Sequence, residues 1–344
     1  MATSNITLTG EAAPQGHQAP LSRWERAGVR ETVMAPPPAV GRGAVGAMTV
    51  CKTQGIAWRR YYDLTKPKVV ALILFTALVG MLLSTPGMVP VQPLVFGLIG
   101  IGLASAAGAA LNHVVDQRID GLMDRTRNRP LPSGDLDAPH ALAFALALVA
   151  VSMLVLLTLV NALTAVLTFA AFIGYAVIYT SYLKRATPQN IVWGGIAGAA
   201  PPLLGWTAVT GEVGVEGVML LLIIFLWTPP HFWALAIRRR AEYAKAEIPM
   251  LPVTHGVAFT KQQIVIYTLM LLLASLLPFL AHMSGLLYLA GALVLGVRFL
   301  YFALRLWADE GDGHAMPTFL YSIRYLMWLF GFLLADHYLP LVTG

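Results

Sequence analysis

The chain has 344 residues, of which 57% are hydrophobic and 12% are charged, and its mean hydropathy is +0.69. Soluble domains carry about 25% charged residues, so this composition excludes a water-soluble globular protein and predicts an integral membrane protein. The formal charge of +6 does not indicate nucleic acid binding, because excess lysine and arginine in such a protein report its orientation in the bilayer. Cys51 is the single cysteine, which excludes an intrachain disulfide.

The first segment of the chain differs from the rest. Residues 1–57 are rich in proline, glycine and alanine and show no apolar period, which predicts a disordered extension. Translation could instead begin at Met34 or Met48. We place the functional domain at 58–344.

Apolar runs that are long enough to cross a bilayer follow one another along this domain, since about 20 residues are needed for each crossing. They predict an all-α polytopic membrane protein of about nine transmembrane helices enclosing a central cavity. The predicted spans are 69–86, 92–112, 139–159, 162–182, 190–210, 215–237, 262–282, 285–306 and 319–340.

The positive charges predict the orientation of these spans. If the N-terminus is cytoplasmic, 20 of the 23 lysines and arginines fall in cytoplasmic segments, and the loops on the other side contain none. Two of the cytoplasmic segments, 113–138 and 238–261, carry most of the side chains capable of chemistry. Within the spans, the small residues Gly194, Gly195 and Gly198 favour close helix packing.

The first of these segments begins with NHVVDQRIDGLMDRTRNRPLPSG, residues 112–134. Asn112, Asp116 and Asp120 recur every four residues and would share one face of a helix. Mg²⁺ commonly takes one or two carboxylates together with substrate phosphates, and guanidinium groups match phosphate oxygens. The stretch therefore fits a metal–diphosphate site with Arg118, Arg125 and Arg129, or alternatively a solvated, salt-bridged helix face. Asp124, four residues after Asp120, has rotated around the helix away from the face that Asn112, Asp116 and Asp120 share.

This stretch resembles the first aspartate-rich motif of the UbiA-type intramembrane prenyltransferases, which binds Mg²⁺ and the diphosphate of an isoprenoid donor. Asn112, Asp116 and Asp120 match the motif, whereas His113 stands where many members have an aspartate. The resemblance makes Asn112, Asp116 and Asp120 candidate metal ligands and catalytic residues.

Three further stretches resemble the haem-farnesylating branch of that family: DLTKPKVV (63–70), YTSYLKRATPQNIVWGGIAGAAPPLLGW (179–206) and WTPPHFWALAIRRRAEYAKAEIPMLPVTHG (227–256). The resemblance implies Lys184 as a diphosphate ligand and Glu242 with Tyr243 as a second charged motif. His231, within a predicted span, is a candidate catalytic residue or haem ligand, and His113 is a second haem candidate. Glu247 could contact a metal or be only a solvated charge.

The implied reaction transfers a farnesyl group from farnesyl diphosphate to a vinyl group of haem B, with addition of water. The implied cofactor is Mg²⁺, and the implied partners are the lipid bilayer and a downstream haem A synthase or oxidase assembly factor. The implied location is a bacterial inner membrane with the site facing the cytoplasm. Two alternatives remain: prenylation of an aromatic ring such as 4-hydroxybenzoate, and a haem carrier or transporter, for which Arg298 within a span is the best-placed residue.

Overall fold

The computed structural model describes residues 57–122 and 126–343, and these ranges contain helices and no β-strand. Apart from Ala57, the predicted disordered extension lies outside the described residues, as do Asp124 and Arg125. The helices in chain order are α1 Ala57–Leu64, α2 Pro67–Leu83, α3 Val91–Val115, α4 Gln117–Leu122, α5 Ala138–Leu159, α6 Ala162–Ile173, the π-helix π1 Gly174–Leu183, α7 Lys184–Ala186, α8 Asn190–Ala199, α9 Pro201–Thr210, α10 Val215–Arg238, α11 Arg240–Lys245, α12 Leu251–Thr254, α13 Gly256–Ala274, α14 Leu277–Leu280, α15 Leu286–Ala308 and α16 Ala315–Thr343.

The all-α membrane fold is confirmed, and the count of nine spans is not. Seven described helical runs are long and apolar enough to cross a bilayer, and α1 with α2 makes an eighth if this pair, bent by 52°, is one span. The predicted span 190–210 consists instead of two ten-residue helices, α8 and α9. The helical hydrogen bonds lapse between them because Pro201 and Pro202 have no N–H to donate.

The bend between α1 and α2 occurs at Lys66, whose backbone adopts the left-handed conformation with φ 49°. Pro67 follows as the first residue of α2, where its missing N–H costs no hydrogen bond. The left-handed turn therefore ends one helix and starts the next within two residues. It also puts Lys66 at the end of a membrane-spanning helix.

Helix α10 is the innermost span, with 72% of its most apolar window buried. Its side chains form one core with α13, α15 and α16, in which Ile223, Phe299 and Phe330 are fully buried. Two prolines, Pro229 and Pro230, lie inside α10 without ending it. Neighbouring helices in a membrane protein make such interruptions tolerable.

Glycine contacts set how closely α2 and α9 cross. A Cβ at Gly80 would lie 2.0 Å from the carbonyl oxygen of Pro202, and one at Gly205 would lie 2.0 Å from that of Ala77. The backbones of the two helices therefore touch, which only glycine permits. Of the three glycines predicted to serve close packing, Gly194 and Gly195 do so against Tyr179 and Thr228, whereas a Cβ at Gly198 would meet open space, so that prediction is wrong for Gly198.

The short turn between α15 and α16 is fixed by two polar anchors. Lys261 is buried and donates to the backbone oxygens of Asp309 and Gly311 at 2.6 and 2.7 Å. The Asp309 carboxylate accepts from His314 at 2.8 Å and from the backbone N–H of Gly311 at 3.0 Å, and these hydrogen bonds lower the pKa of Asp309 to about 2. The turn is therefore held both by its own Asp309 and by Lys261 from α13.

Candidate active site

The predicted polar stripe lies where α3 ends, and it is not carried by one continuous helix. Helix α3 stops at Val115, Asp116 adopts φ −87° and ψ 4°, and α4 starts at Gln117. Two backbone hydrogen bonds nevertheless continue the helical spacing, from Asp116 N to Asn112 O at 3.0 Å and from Asp120 N to Asp116 O at 2.8 Å. The kink leaves Asn112, Asp116 and Asp120 all buried.

Asp116 lies at the centre of a charged cluster that joins α3 to α7. Its Oδ2 accepts from Lys184 Nζ at 2.5 Å and from Asn112 Nδ2 at 2.9 Å. Its Oδ1 is buried and has no hydrogen-bond partner among the described residues, and a guanidinium nitrogen of Arg185 lies 3.9 Å from it. A buried carboxylate oxygen without a partner is costly unless a ligand completes it.

Asp120 is held by Arg129, whose Nη1 lies 2.9 and 2.8 Å from the two carboxylate oxygens. The Thr126 hydroxyl also donates to the backbone oxygen of Asp120 at 2.8 Å. Thr126 and Arg129 thus both bind back onto α4. Both aspartates face cations, so the cluster is a set of charge pairs in a buried setting and not a solvated helix face.

Lys66 completes the cluster, and sequence reasoning missed it. Its Nζ donates to Asn112 Oδ1 at 2.5 Å across 46 positions of sequence. The DLTKPKVV stretch supported the family resemblance, and no role in the site was predicted for Lys66 itself. The one signal that could have singled out Lys66 is a cation placed directly before a proline at the start of a span.

The π-helix contributes one more polar contact. Thr180 is fully buried, donates to the backbone oxygen of Tyr175 five residues earlier at 2.8 Å, and lies 3.3 Å from Asn112 Nδ2. Such π-helical turns are frequent at functional sites. Here the wider turn presents Thr180 to the cluster, and Lys184 follows at the end of the same run.

This cluster suits a divalent ion only together with a substrate anion. In the described ranges no three His, Cys, Asp or Glu side chains lie close enough to hold a metal by themselves. Two carboxylates, one amide and an incomplete Oδ1 on Asp116 match what Mg²⁺ takes when phosphate oxygens supply its other ligands. Lys66, Lys184 and Arg129 would then be the cations that meet a diphosphate.

His231 is a separate feature, on α10. Its ring stacks between Trp227 and Phe319, with centroid distances of 4.2 and 4.6 Å, and its Nδ1 lies 2.7 Å from Ser322 Oγ. The Ser322 hydroxyl gives its one proton to the Phe319 carbonyl at 2.6 Å. It therefore accepts from His231 Nδ1–H, and this leaves a lone pair on Nε2.

The other predicted residues lie outside this cluster or add less to it. Arg118 is exposed and forms no ion pair in the described part of the chain. Glu242 is half-buried on α11, Tyr243 packs beside the core cluster around Trp233, and Glu247 is exposed. His113 is buried beside Asn112, and neither of its ring nitrogens has a hydrogen-bond partner among the described residues. The central cavity stays a prediction. A groove beside α15 and α16 and a cavity at the α14–α15 turn are lined by residues outside the charged cluster.

The sequence of this chain is similar to those of known prenyltransferases. The UbiA prenyltransferase family matches residues 73–330. Proteins named protoheme IX farnesyltransferase are similar to the chain: that of Thioalkalivibrio sulfidiphilus is 66% identical over 88% of this chain and 100% of its own, and that of Azotobacter vinelandii is 61% identical over 85% and 99%.

Two solved structures share the fold. A digeranylgeranylglyceryl phosphate synthase superimposes with a TM-score of 0.72 at 17% identity, over 82% of this chain and 98% of its own. A UbiA homolog from Archaeoglobus fulgidus, bound to GPP and Mg²⁺, superimposes with a TM-score of 0.57 at 18% identity, over 80% and 99%. The family match over residues 73–330 and the relatives at 61–66% identity show that the chain belongs to the UbiA prenyltransferase family.

Proposed function

We propose that the protein transfers a farnesyl group from farnesyl diphosphate to a vinyl group of haem B, giving haem O. The observation that carries this proposal is the buried pairing of Asp116 and Asp120 with Lys184 and Arg129 where α3 ends, with one carboxylate oxygen left incomplete. The choice of farnesyl and haem is supported by the names of relatives that are 59–66% identical to this chain.

In the proposed reaction the bond between farnesyl C1 and the diphosphate oxygen breaks, and the diphosphate leaves with the electron pair. Farnesyl C1 bonds to one vinyl carbon of haem B, and a water oxygen adds to the other vinyl carbon and loses a proton. Mg²⁺ on Asp116 and Asp120, when bound, supplies Lewis-acid stabilisation of the leaving group. Lys184, Lys66 and Arg129 add positive charge fixed in advance in a buried site, where it is most effective.

His231 is proposed to serve the haem side of the reaction. Its Nε2 lone pair is available to accept the proton that the added water loses, or to ligate the haem iron. The stacking partners Trp227 and Phe319 hold the ring in one plane. Glu242, Tyr243, Arg118, Arg125 and His113 remain proposed contributors on the strength of the motif resemblance.

The cellular setting is part of the proposal. Excess lysine and arginine on one side supports an inner membrane protein with its N-terminus and diphosphate site at the cytoplasmic face. Each substrate joins a large apolar part, the farnesyl chain or the haem macrocycle, to charged groups, which gives a reason for catalysis at the surface of a bilayer and within it. A haem A synthase or an oxidase assembly factor is the proposed recipient of the product.

The test uses the purified full chain in detergent with haem B, farnesyl diphosphate and Mg²⁺, and mass spectrometry of the pigment. Asp116→Asn should lower the rate about 100-fold or more, the loss typical of removing one group that stabilises developing charge. The matched control Asp137→Asn, an exposed acid just before α5, should keep the full rate. Undiminished turnover in Asp116→Asn, or with all divalent ions chelated, contradicts the proposal.

The same preparation separates the alternatives. An enzyme that prenylates an aromatic ring would modify 4-hydroxybenzoate when it replaces haem B, and the proposed enzyme would leave it unchanged. A haem carrier would bind haem without forming haem O. It would also be indifferent to Asp116→Asn.

A further inference from the structure

A groove on the membrane-facing side of α15 and α16 contains two arginines. Its volume is about 460 Å³, and its walls include Gly291, Arg298, Tyr321, Arg324, Trp328 and Phe332. The Arg298 guanidinium lies over the Tyr321 ring, 5.5 Å from its centroid. Both arginines are exposed, and Trp328 is 63% exposed, so the groove opens outward from the helix bundle.

The depth of these arginines in the bilayer is unusual. Arg298 lies ten residues before the end of α15 at Ala308, and Arg324 lies nine residues after the start of α16 at Ala315. At 1.5 Å per residue, Arg298 and Arg324 lie about 15 and about 13.5 Å along their helices from the α15–α16 turn, well inside two segments that are long and apolar enough to cross a bilayer. Extending a side chain to the surface serves residues near helix ends, which these are not.

No acidic side chain in the described part of the chain neutralises the two arginines. Among the residues that the structure describes, neither guanidinium has a carboxylate within ion-pair distance, and the aromatic face of Tyr321 is the one charge-stabilising contact found for Arg298. Charged residues inside a membrane almost always have a partner. Two adjacent uncompensated cations therefore point to an anionic ligand that enters from the bilayer.

The lining of the groove restricts what that ligand can be. A phospholipid offers one phosphate and flexible acyl chains, which match neither two guanidinium groups nor a set of aromatic side chains. A planar apolar molecule with two carboxylates matches both the aromatic side chains and the number of arginines, since guanidinium pairs bidentately with carboxylate. Haem B, with its two propionates and flat macrocycle, has this chemistry.

We infer that this groove is a docking subsite where haem B enters from the bilayer, with its propionates on Arg298 and Arg324 and its ring against Trp328 and Phe332. This inference rests on the proposed function, which makes haem B a substrate. Tyr321 in the groove is followed by Ser322, the hydrogen-bond partner of His231. On α16, Tyr321 therefore lines the groove, and the neighbouring residue Ser322 contacts His231 on an adjacent face of the same helix.

The test measures the affinity of the purified full chain for haem B from the change in the haem absorption band. Arg298→Gln and Arg324→Gln should each weaken binding about tenfold, and the double variant about 100-fold. Arg305→Gln is the matched control, because Arg305 is exposed on the same helix, nearer the cytoplasmic end, and does not line the groove. It should bind haem B as the unmodified chain does.

A second measurement needs no variant. Haem B dimethyl ester, which has the same macrocycle without the carboxylate charges, should bind the unmodified chain about as weakly as the double variant binds haem B. Equal affinity for haem and its ester, or unchanged affinity in the double variant, overturns the inference. If the double variant instead loses bound phosphatidylglycerol in native mass spectrometry while haem affinity is unchanged, the groove is a lipid site.

These outcomes are distinct from failure of the proposed function. Haem O production with an unchanged haem KM in the double variant overturns the docking subsite and leaves the reaction intact. Arginine-dependent haem binding without formation of haem O, by contrast, overturns the reaction and retains the subsite.

Discussion

Lys66 is the residue of the candidate site that the sequence motifs did not predict and that the contacts in the structure reveal. It orients Asn112 and brings a cation to the aspartate pair from a different helix. Lys66→Met should lower kcat/KM for farnesyl diphosphate about tenfold or more, because the buried Asn112 Oδ1 loses its donor and the site loses positive charge. Steady-state kinetics on purified protein measures this.

The matched control is Lys68→Met, since Lys68 is exposed two residues further along the same segment. It should leave the kinetics unchanged. An equal loss in both variants would mean that general positive charge at this surface matters and the Asn112 contact does not.

Ser322 controls which nitrogen of His231 carries the proton. In Ser322→Ala the Nδ1–H loses its acceptor, and the ring no longer has a fixed tautomer or orientation. We expect kcat with haem B to fall fivefold to tenfold, about the worth of one hydrogen bond of 1 kcal/mol, while KM for farnesyl diphosphate stays the same.

Thr318→Val is the control for that substitution. Thr318 is also buried on α16, but its hydroxyl donates to backbone oxygens, that of His314 at 2.8 Å and that of Phe302 at 3.3 Å, and not to a histidine ring. A loss of kcat in Thr318→Val as large as that in Ser322→Ala would attribute both effects to packing of α16.

At the scale of elements, the crossing of α2 and α9 depends on two glycines. A methyl group at Gly205 would meet the Ala77 carbonyl far inside contact distance, and that carbonyl belongs to a rigid helix. Gly205→Ala should therefore force the helices apart and destabilise the protein by about 1–3 kcal/mol, the usual cost of overpacking. A lowered midpoint of thermal unfolding in detergent would report it.

Gly198→Ala provides the comparison, because a Cβ there meets open space within a helix. Alanine is the better helix former, so this variant should be as stable as the unmodified chain or slightly more stable. A similar loss in both variants would show that the close approach of α2 and α9 has no special weight.

Hydropathy predicted the helices well, because a bilayer requires long apolar runs whose backbone is satisfied internally. It failed to describe α8 and α9, since window hydropathy does not register that Pro201 and Pro202 interrupt the hydrogen bonds. It also missed the break at Asp116, where helical spacing alone predicts a continuous helix. Both departures are local backbone events that average composition does not record.

At the scale of the whole molecule, the sequence predicted which segment carries the candidate site but not how the side chains of that candidate site come together. The pairing of Asp116 with Lys184 was accessible through motif resemblance. The contacts of Lys66 with Asn112 and of His231 with Ser322 join residues 46 and 91 positions apart, and no periodicity connects them. The groove with Arg298 and Arg324 likewise arises only when α15 and α16 lie side by side.

Orientation in the membrane is the remaining property of the whole molecule, and the charge distribution predicts it. The turn between α9 and α10 has no lysine or arginine, whereas the segments around α1, α4, α7 and α11 are basic, so the α9–α10 turn should face away from the cytoplasm. Cys51→Ser removes the single cysteine, and Val213→Cys or Glu310→Cys then gives one exposed thiol in the α9–α10 or the α15–α16 turn. A membrane-impermeant maleimide applied to intact spheroplasts should label the Val213→Cys protein at once and the Glu310→Cys protein only after permeabilisation. Reversed labelling would put the aspartate cluster on the side away from cytoplasmic farnesyl diphosphate, and the proposed reaction could not then draw its donor from the cytoplasm.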